Sequence, residues 1–347
     1  MDHKLYQYSA LPSRPRFQWP NGAYAAFHVT LFIEHFELAP PPGSVKDRRF
    51  VSEFGPQTPD YRTWTQREYG NRVGIFRVLD VLDRHAIKAS VAMGASACER
   101  YPALVAEVTR RGFEVLAHGT HATQIISSKM TDAEQRAYIA ASIEAVAKAT
   151  GSVPKGWLSQ DQGEAPNTPA LLAEAGIDYL VDWSNDDQAY LMEPGLVSIP
   201  HQIEWDDVLL FWLRRVETWR YPDLIEEAAR TLVAEGRISG RNFGLSIHPW
   251  LFGMAHRIRF LDEALTRLRA IDGLWQATTG EIAGWARGQL RTQLQAEVRR
   301  DDFRLKAGRS PPPKWFYCRS VTPCRRMMPS GCVLNPSTFS LSPHSHL

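Results

Sequence analysis

From Asn71 onward the sequence alternates strand-like and helix-like stretches, and this alternation limits the fold more than any other feature. "NRVGIFRVLDVLDRH" carries Val78, Leu79 and Leu82 on one side at helical spacing, and "IKASVAMG" then reads as a strand. "YPALVAEVTRRG" reads as a helix stopped by Gly112 and is followed by the strand "FEVLAHG". "TDAEQRAYIAASIEAVAKATG" is a helix opened by a Thr131/Glu134 capping box and closed by Gly151. The rhythm continues through "VPKGWLS", "NTPALLAEAG", "IDYLVDW", "GLVSIP", "YPDLIEEAARTLVAEG", "NFGLSIH", "RIRFLDEALTRLRAI" and "GLWQAT", and "TGEIAGWARGQLRTQLQAEVRR" reads as a terminal helix. Alternating strands and helices imply a mainly parallel sheet with helices packed on it. Roughly seven such units in succession suit a closed or nearly closed barrel better than an open sheet.

The flanks differ from this body. Residues 1–20 are polar and proline-punctuated, an N-terminal arm. Residues 21–298 form the barrel, interrupted by a long proline-rich and aromatic loop over 39–70. Loops of that length in a compact domain are usually lids or binding segments. Residues 299–347 are rich in proline, serine and arginine without periodicity, and are expected to be disordered. The 22% charged residues and the net charge of +2 give no reason to expect nucleic acid or an anionic membrane as partner. There is no apolar run long enough for a transmembrane helix and no signal-like core near the start, which points to the cytoplasm. Cys98 reads as an ordinary thiol. The other cysteines, Cys318, Cys324 and Cys332, fall in the tail without a metal-binding pattern.

The chemistry collects at strand ends. "HVTLFIEHFEL" runs from an apolar strand into Glu34, His35 and Glu37, and "FEVLAHGTHATQ" ends in His118 and His121. "GWLSQDQGEAPNT" offers Trp157, Asp161 and Glu164, and "IDYLVDWSNDDQAY" ends in Asp182, Asn185, Asp186 and Asp187. "NFGLSIHPW" ends in His248, followed by Trp250. In parallel α/β folds, reacting groups lie at the carboxyl ends of strands. Glu34 is expected to act as base, His248 as general acid or oxyanion partner, and Asp182, Asp186 and Asp187 to orient substrate or the catalytic histidine. His35, His118 and His121 are the candidate ligands of one divalent cation such as zinc. Trp157, Glu164, Asn185, Asp186, Asp187 and Trp250 are candidate substrate contacts. His28, inside its strand, is expected in the core, and His201 is equally compatible with a substrate loop and with plain surface.

These stretches together resemble the polysaccharide deacetylase superfamily with the NodB homology fold, over about residues 20 to 290. The resemblance implies an α/β fold, a distorted parallel (β/α)7-8 barrel, and hydrolysis of amide carbon–nitrogen bonds, typically an N-acetyl group on a carbohydrate. Where members carry two acidic residues after the first strand, this chain has Glu34 and His35. Where members carry a second histidine four places after the first, it has Ala122, with His121 one place early. The arginine of the third motif is absent, with Gln160, Asp161 and Gln162 in its region. "GWLSQDQGEAPNTPALLAEAG" and "DWSNDDQAY" resemble the branch of allantoinases and cyclic imide hydrolases, which open a ring amide without a cofactor. Members include homo-oligomers. Small-molecule or oligosaccharide substrates are implied, and an inactive carbohydrate-binding homologue is a third reading.

Overall fold

A computed structural model of the chain describes residues 3–45, 55 and 57–306, with side chains through 293. Residues 1–296 form one compact unit. Its strands are β1 (Ala25–Ile33), β2 (Ser90–Met93), β3 (Glu114–Ala117), β4 (Gly156–Trp157), β5 (Tyr179–Leu180), β6 (Tyr190–Met192), β7 (Leu196–Ser198), β8 (Arg241–Ile247) and β9 (Leu274–Gln276). Its α-helices are α1 (Tyr61–Tyr69), α2 (Ile75–Arg84), α3 (Ala95–Arg100), α4 (Pro102–Arg110), α5 (Asp132–Thr150), α6 (Thr168–Glu174), α7 (Tyr221–Gly236), α8 (Pro249–Phe252), α9 (Ile258–Arg269) and α10 (Thr279–Lys306). No helix among the described residues is long and apolar enough to cross a membrane.

The strands form one curled sheet in the order β6-β7-β5-β4-β3-β2-β1-β8, with β9 on β1. Every pairing is parallel except β6 with β7. β8 pairs with residues 25–31 of β1, β2 with 30–33 and β9 with 25–27, so β2 and β9 share the edge of β1 opposite β8. Among the described residues the sheet does not close by strand pairing, because no ladder joins β8 to β7 or β6. Loops and side chains bridge that seam instead. Asn242 N–H donates to the Asp187 carbonyl at 2.6 Å, and Trp205 Nε1–H donates to the Gly244 carbonyl at 2.7 Å. The expected parallel barrel is therefore a half-barrel with a polar seam.

Strand β1 shows why its sequence is apolar almost throughout. Phe27, Val29, Leu31 and Ile33 pack outward into the large core shared with helices α2, α7 and α9. Ala26 and Phe32 face a second core inside the barrel. A strand buried on both faces has no polar alternation. His28 sits on that inner face, 3% exposed, as the sequence suggested. Burial, and then the neighbouring His201, push its pKa down to about 3.

The arm is packed on the body: Phe17 and Trp19 are buried, and Trp19 Nε1–H donates to the Arg241 carbonyl at 2.6 Å. The segment 39–70 is not all loop, since α1 begins at Tyr61 on an Asp60 cap. The terminal helix runs to Lys306, past the expected start of a disordered tail at 299. The remainder of that tail, from 307, lies outside the described residues. The Thr131/Glu134 capping box is formed, and Gly112 and Gly151 both adopt positive φ.

One close approach sets the site. Helices α1 and α2 join through a wide π-type turn, Gly70–Gly74. A Cβ on Gly70 would lie 2.6 Å from Trp250 N, and one on Gly74 would lie 2.2 Å from the Pro249 carbonyl oxygen. The two glycines therefore let this turn rest directly on the backbone of α8, next to His248. We expect Gly74→Ala to lower stability by about 1–3 kcal/mol, read as a drop in the thermal unfolding midpoint. An unchanged midpoint would show that the contact is slack.

Candidate active site

At the carboxyl end of the half-barrel is a cavity of about 540 Å³. Its walls include Glu34, Arg67, His118, His201, His248 and Trp250. β1 supplies Glu34 one residue past its end, the segment after β3 supplies His118, and the segment after β8 supplies His248. Helix α1, absent from the sequence reading, supplies Arg67.

His118 is fixed by its own backbone surroundings. Its Nδ1 lies 2.6 Å from the Leu158 carbonyl oxygen, which can only accept, so Nδ1 carries a proton. Nε2 then turns toward Glu34 Oε1 at 3.5 Å and is closed to solvent, with no hydrogen-bond partner among the described residues. Burial works to raise the Glu34 pKa, but His118, His248 and Arg67 outweigh it and hold the carboxyl below its ordinary value. Glu34 is thus a carboxylate at neutral pH, facing an aromatic-walled cavity. That is the state a general base needs.

His248 is fixed from the other side. Its Nδ1 lies 2.6 Å from Asp207 Oδ1, and its backbone N–H donates to Asp207 Oδ2 at 2.7 Å. Its ring stacks on Phe32, with centroids 4.1 Å apart and planes 12° apart. Burial lowers the imidazole pKa, yet the charge and hydrogen bond of Asp207, helped by Asp206 and Glu34, lift it to about 9. Burial pushes Asp207 up to about 6 against the pull of His248. The two groups titrate as a unit. Through the neutral range the pair presents a protonated imidazole to the cavity, as a general acid requires.

Arg67 is 3% exposed, with its guanidinium 3.2 Å from the Trp250 ring centroid and 4.8 Å from that of Phe36. Such stacking favours a buried cation in a place where water cannot serve it.

The other expected site residues are distributed differently. Trp250 lines the cavity. Asp182 does not: it lies behind the wall, accepting from Ser159 N at 2.7 Å and Ser159 Oγ at 3.0 Å. Burial, and then the neighbouring Glu164, hold its pKa well above the ordinary value. Asp182 therefore supports the Ser159 turn and does not orient His248, a role that falls to Asp207. Trp157 is fully buried and donates to Ser159 Oγ at 2.8 Å. Glu164 accepts from Trp183 Nε1 at 3.0 Å. Asn185 is held by Tyr6 and Tyr190, and Asp186 by a two-pronged bridge from Arg14. Asp187 gives its carbonyl to the seam. None of Trp157, Glu164, Asn185, Asp186 and Asp187 lines the cavity.

The expected metal trio is not assembled. His35 Nδ1 lies 2.8 Å from Tyr101 Oη, whose hydroxyl donates to Glu68, and His121 Nδ1 lies 3.1 Å from Gln124 Oε1. Neither histidine lines the cavity with His118. Among the described residues, the group whose ligand atoms all lie within 4.8 Å is Asp206, Asp207 and His248. Several of their atoms are already engaged. Both Asp207 oxygens accept from His248, and Asp206 Oδ1 accepts from the backbone of Val208 and Leu209. The carboxylates of this group are therefore largely engaged in holding His248 and the following backbone, and Asp206 Oδ2 and His248 Nε2 are the atoms left that could hold a cation.

Sequence reasoning missed Asp207, Asp206 and Arg67. The acidic pair opens the apolar run "WDDVLLFWL", a signal that resembles a cap and says nothing of a distant histidine. Arg67 is spaced four residues from Thr63 and three from Trp64, which also line the cavity, but its helix lies in a stretch read as loop.

Comparison with known proteins bears on the fold. Residues 68–180 match the family profile described as "Polysaccharide deacetylase". A Schizosaccharomyces pombe protein assigned to the polysaccharide deacetylases is 25% identical over 243 residues, covering 62% of this chain and 73% of its own. A crystal structure of a Pseudomonas aeruginosa PAO1 protein assigned to the polysaccharide deacetylases superposes with a TM-score of 0.69 at 23% identity, over 79% of this chain and 94% of its own. The crystal structure of Puue allantoinase gives a TM-score of 0.69 at 23% identity, over 78% and 93% of the two chains. In sequence over residues 68–180, and in fold over most of its described length, this chain resembles the polysaccharide deacetylase superfamily.

Proposed function

We propose that the chain hydrolyses an amide carbon–nitrogen bond, and that its substrate is a small cyclic amide or ureide. The observation that carries the reading is the pairing, across one cavity, of an ionised Glu34 with a His248 imidazolium held by buried Asp207. Glu34 takes a proton from water as its oxygen attacks the amide carbon. The carbon–nitrogen bond breaks, and the leaving nitrogen takes the proton from His248 Nε2. Asp207 holds the ring in the tautomer that performs the transfer, and Phe32 fixes its plane. Arg67 supplies positive charge near the oxygen on which charge develops.

The ring-opening reading is favoured over deacetylation because His35 and His121 do not join His118, so the histidine set expected to hold a deacetylase's metal is not assembled. A cavity of about 540 Å³ with Phe32, Trp64 and Trp250 in its walls suits a compact flat ring. Removal of acetate from an N-acetylated carbohydrate is the second reading, supported by the family profile over residues 68–180.

Two measurements test this. In a panel of allantoin, hydantoin and N-acetylglucosamine oligomers, we expect turnover of a ring amide that survives exhaustive chelation. Glu34→Gln should lower kcat by about 10²–10⁴-fold. Turnover confined to the acetylated sugar, abolished by chelation and restored by zinc, would refute the ring-opening reading. In the wild type, the rate should fall as pH rises through about 9, where His248 loses its proton. Asp207→Asn should move that alkaline limb down toward the ordinary histidine value of about 6.5. An alkaline limb unmoved by the substitution would mean that another group is the acid.

A further inference from the structure

The adjacent aspartates at the mouth of the barrel reach two imidazoles. Asp207 is committed to His248. Asp206 also stands beside His201: its Oδ2 lies 3.8 Å from His201 Nε2, while its Oδ1 accepts from Val208 and Leu209 N–H at 2.9 and 3.2 Å. His201 itself is anchored through its backbone. Its N–H donates to the Trp183 carbonyl at 2.9 Å, and its carbonyl accepts from Ile203 N–H at 3.0 Å.

His201 is 4% exposed and lines the same cavity as Glu34 and His248. Its Nε2 is closed to solvent and has no hydrogen-bond partner among the described residues. A carboxylate 3.8 Å away is too distant for a direct hydrogen bond but near enough to favour a proton on Nε2. The nitrogen left for the cavity is Nδ1, which in that tautomer carries a lone pair. The wall so formed offers a hydrogen-bond acceptor in the same cavity as the groups that donate and remove protons.

We propose that His201, held by Asp206, is a specificity-determining residue whose Nδ1 accepts a hydrogen bond from a ring N–H of the substrate. This rests on the cyclic-amide reading above and narrows it: the substrate class is a ring with a free N–H in addition to the scissile amide, as in a cyclic ureide. A plain N-acetyl group has no such second N–H on a compact ring. A site built to pair with a polar hydrogen discriminates strongly against an analogue that lacks it.

The test uses the full chain and measures kcat/KM for hydantoin, 1-methylhydantoin and 3-methylhydantoin. The wild type should prefer hydantoin over one of the two methylated rings by about 10–100-fold. His201→Phe keeps the bulk but has no acceptor, and should reduce that preference to less than about 3-fold. His201→Asn places a polar acceptor at the δ position and should retain most of the preference. His201→Gln places it at the ε position and should not, so the comparison stands even where the phenylalanine variant fails to fold. Hydantoin turnover with no N-methyl discrimination in the wild type, or discrimination that survives in His201→Phe, would overturn the role of His201 and leave the ring-opening reading intact. No turnover of any hydantoin, with turnover of N-acetylglucosamine oligomers, would overturn both.

Discussion

The site depends on one buried ion pair. Asp207 is fully buried and gives both oxygens to a single residue, one to the His248 backbone and one to its ring. Removing one member of such a pair leaves an unmatched charge in the interior, at a cost of about 3–5 kcal/mol. The rest of the site is arranged around it. Phe32 stacks on the imidazole, the Gly70–Gly74 turn presses on the segment that follows it, and Arg67 lies under Trp250 two residues on. Because each contact limits the position of the next, the histidine reaches the cavity in one orientation.

The electrostatics are a division of labour. Glu34 stays ionised although it is buried, because His118, His248 and Arg67 surround it. His248 stays protonated although it is buried, because Asp207, Asp206 and Glu34 surround it. Each group would be pushed toward neutrality alone, and together they stabilise each other's charges. The result is a base and an acid that coexist at neutral pH.

The fold was largely legible because its determinants are local. The Thr131/Glu134 box, the glycine stops at Gly112 and Gly151 and the apolar β1 each fix one element from its own residues. The seam was not legible, since closure through Asn242 and Trp205 joins segments far apart in the chain. At the site, Glu34, His118, Trp250 and His248 could be picked out because they follow strands. Residue type misled where a polar group near a strand end served packing instead. Asp182 and Trp157 brace the Ser159 turn, Glu164 holds Trp183, and Asp186 ties down the N-terminal arm. Asp207 and Arg67 were hidden because each acts at the site from a segment with no strand–helix rhythm.

The central claim is that Asp207 keeps His248 protonated across the neutral range, and the most direct measurement is of the ring itself. With ¹⁵N-labelled histidine, the His248 imidazole should remain an imidazolium through neutral pH and titrate with a midpoint of about 9. A midpoint at or below the ordinary value of about 6.5 would mean that the ring is neutral when the enzyme works, and the assignment of His248 as the acid would be wrong.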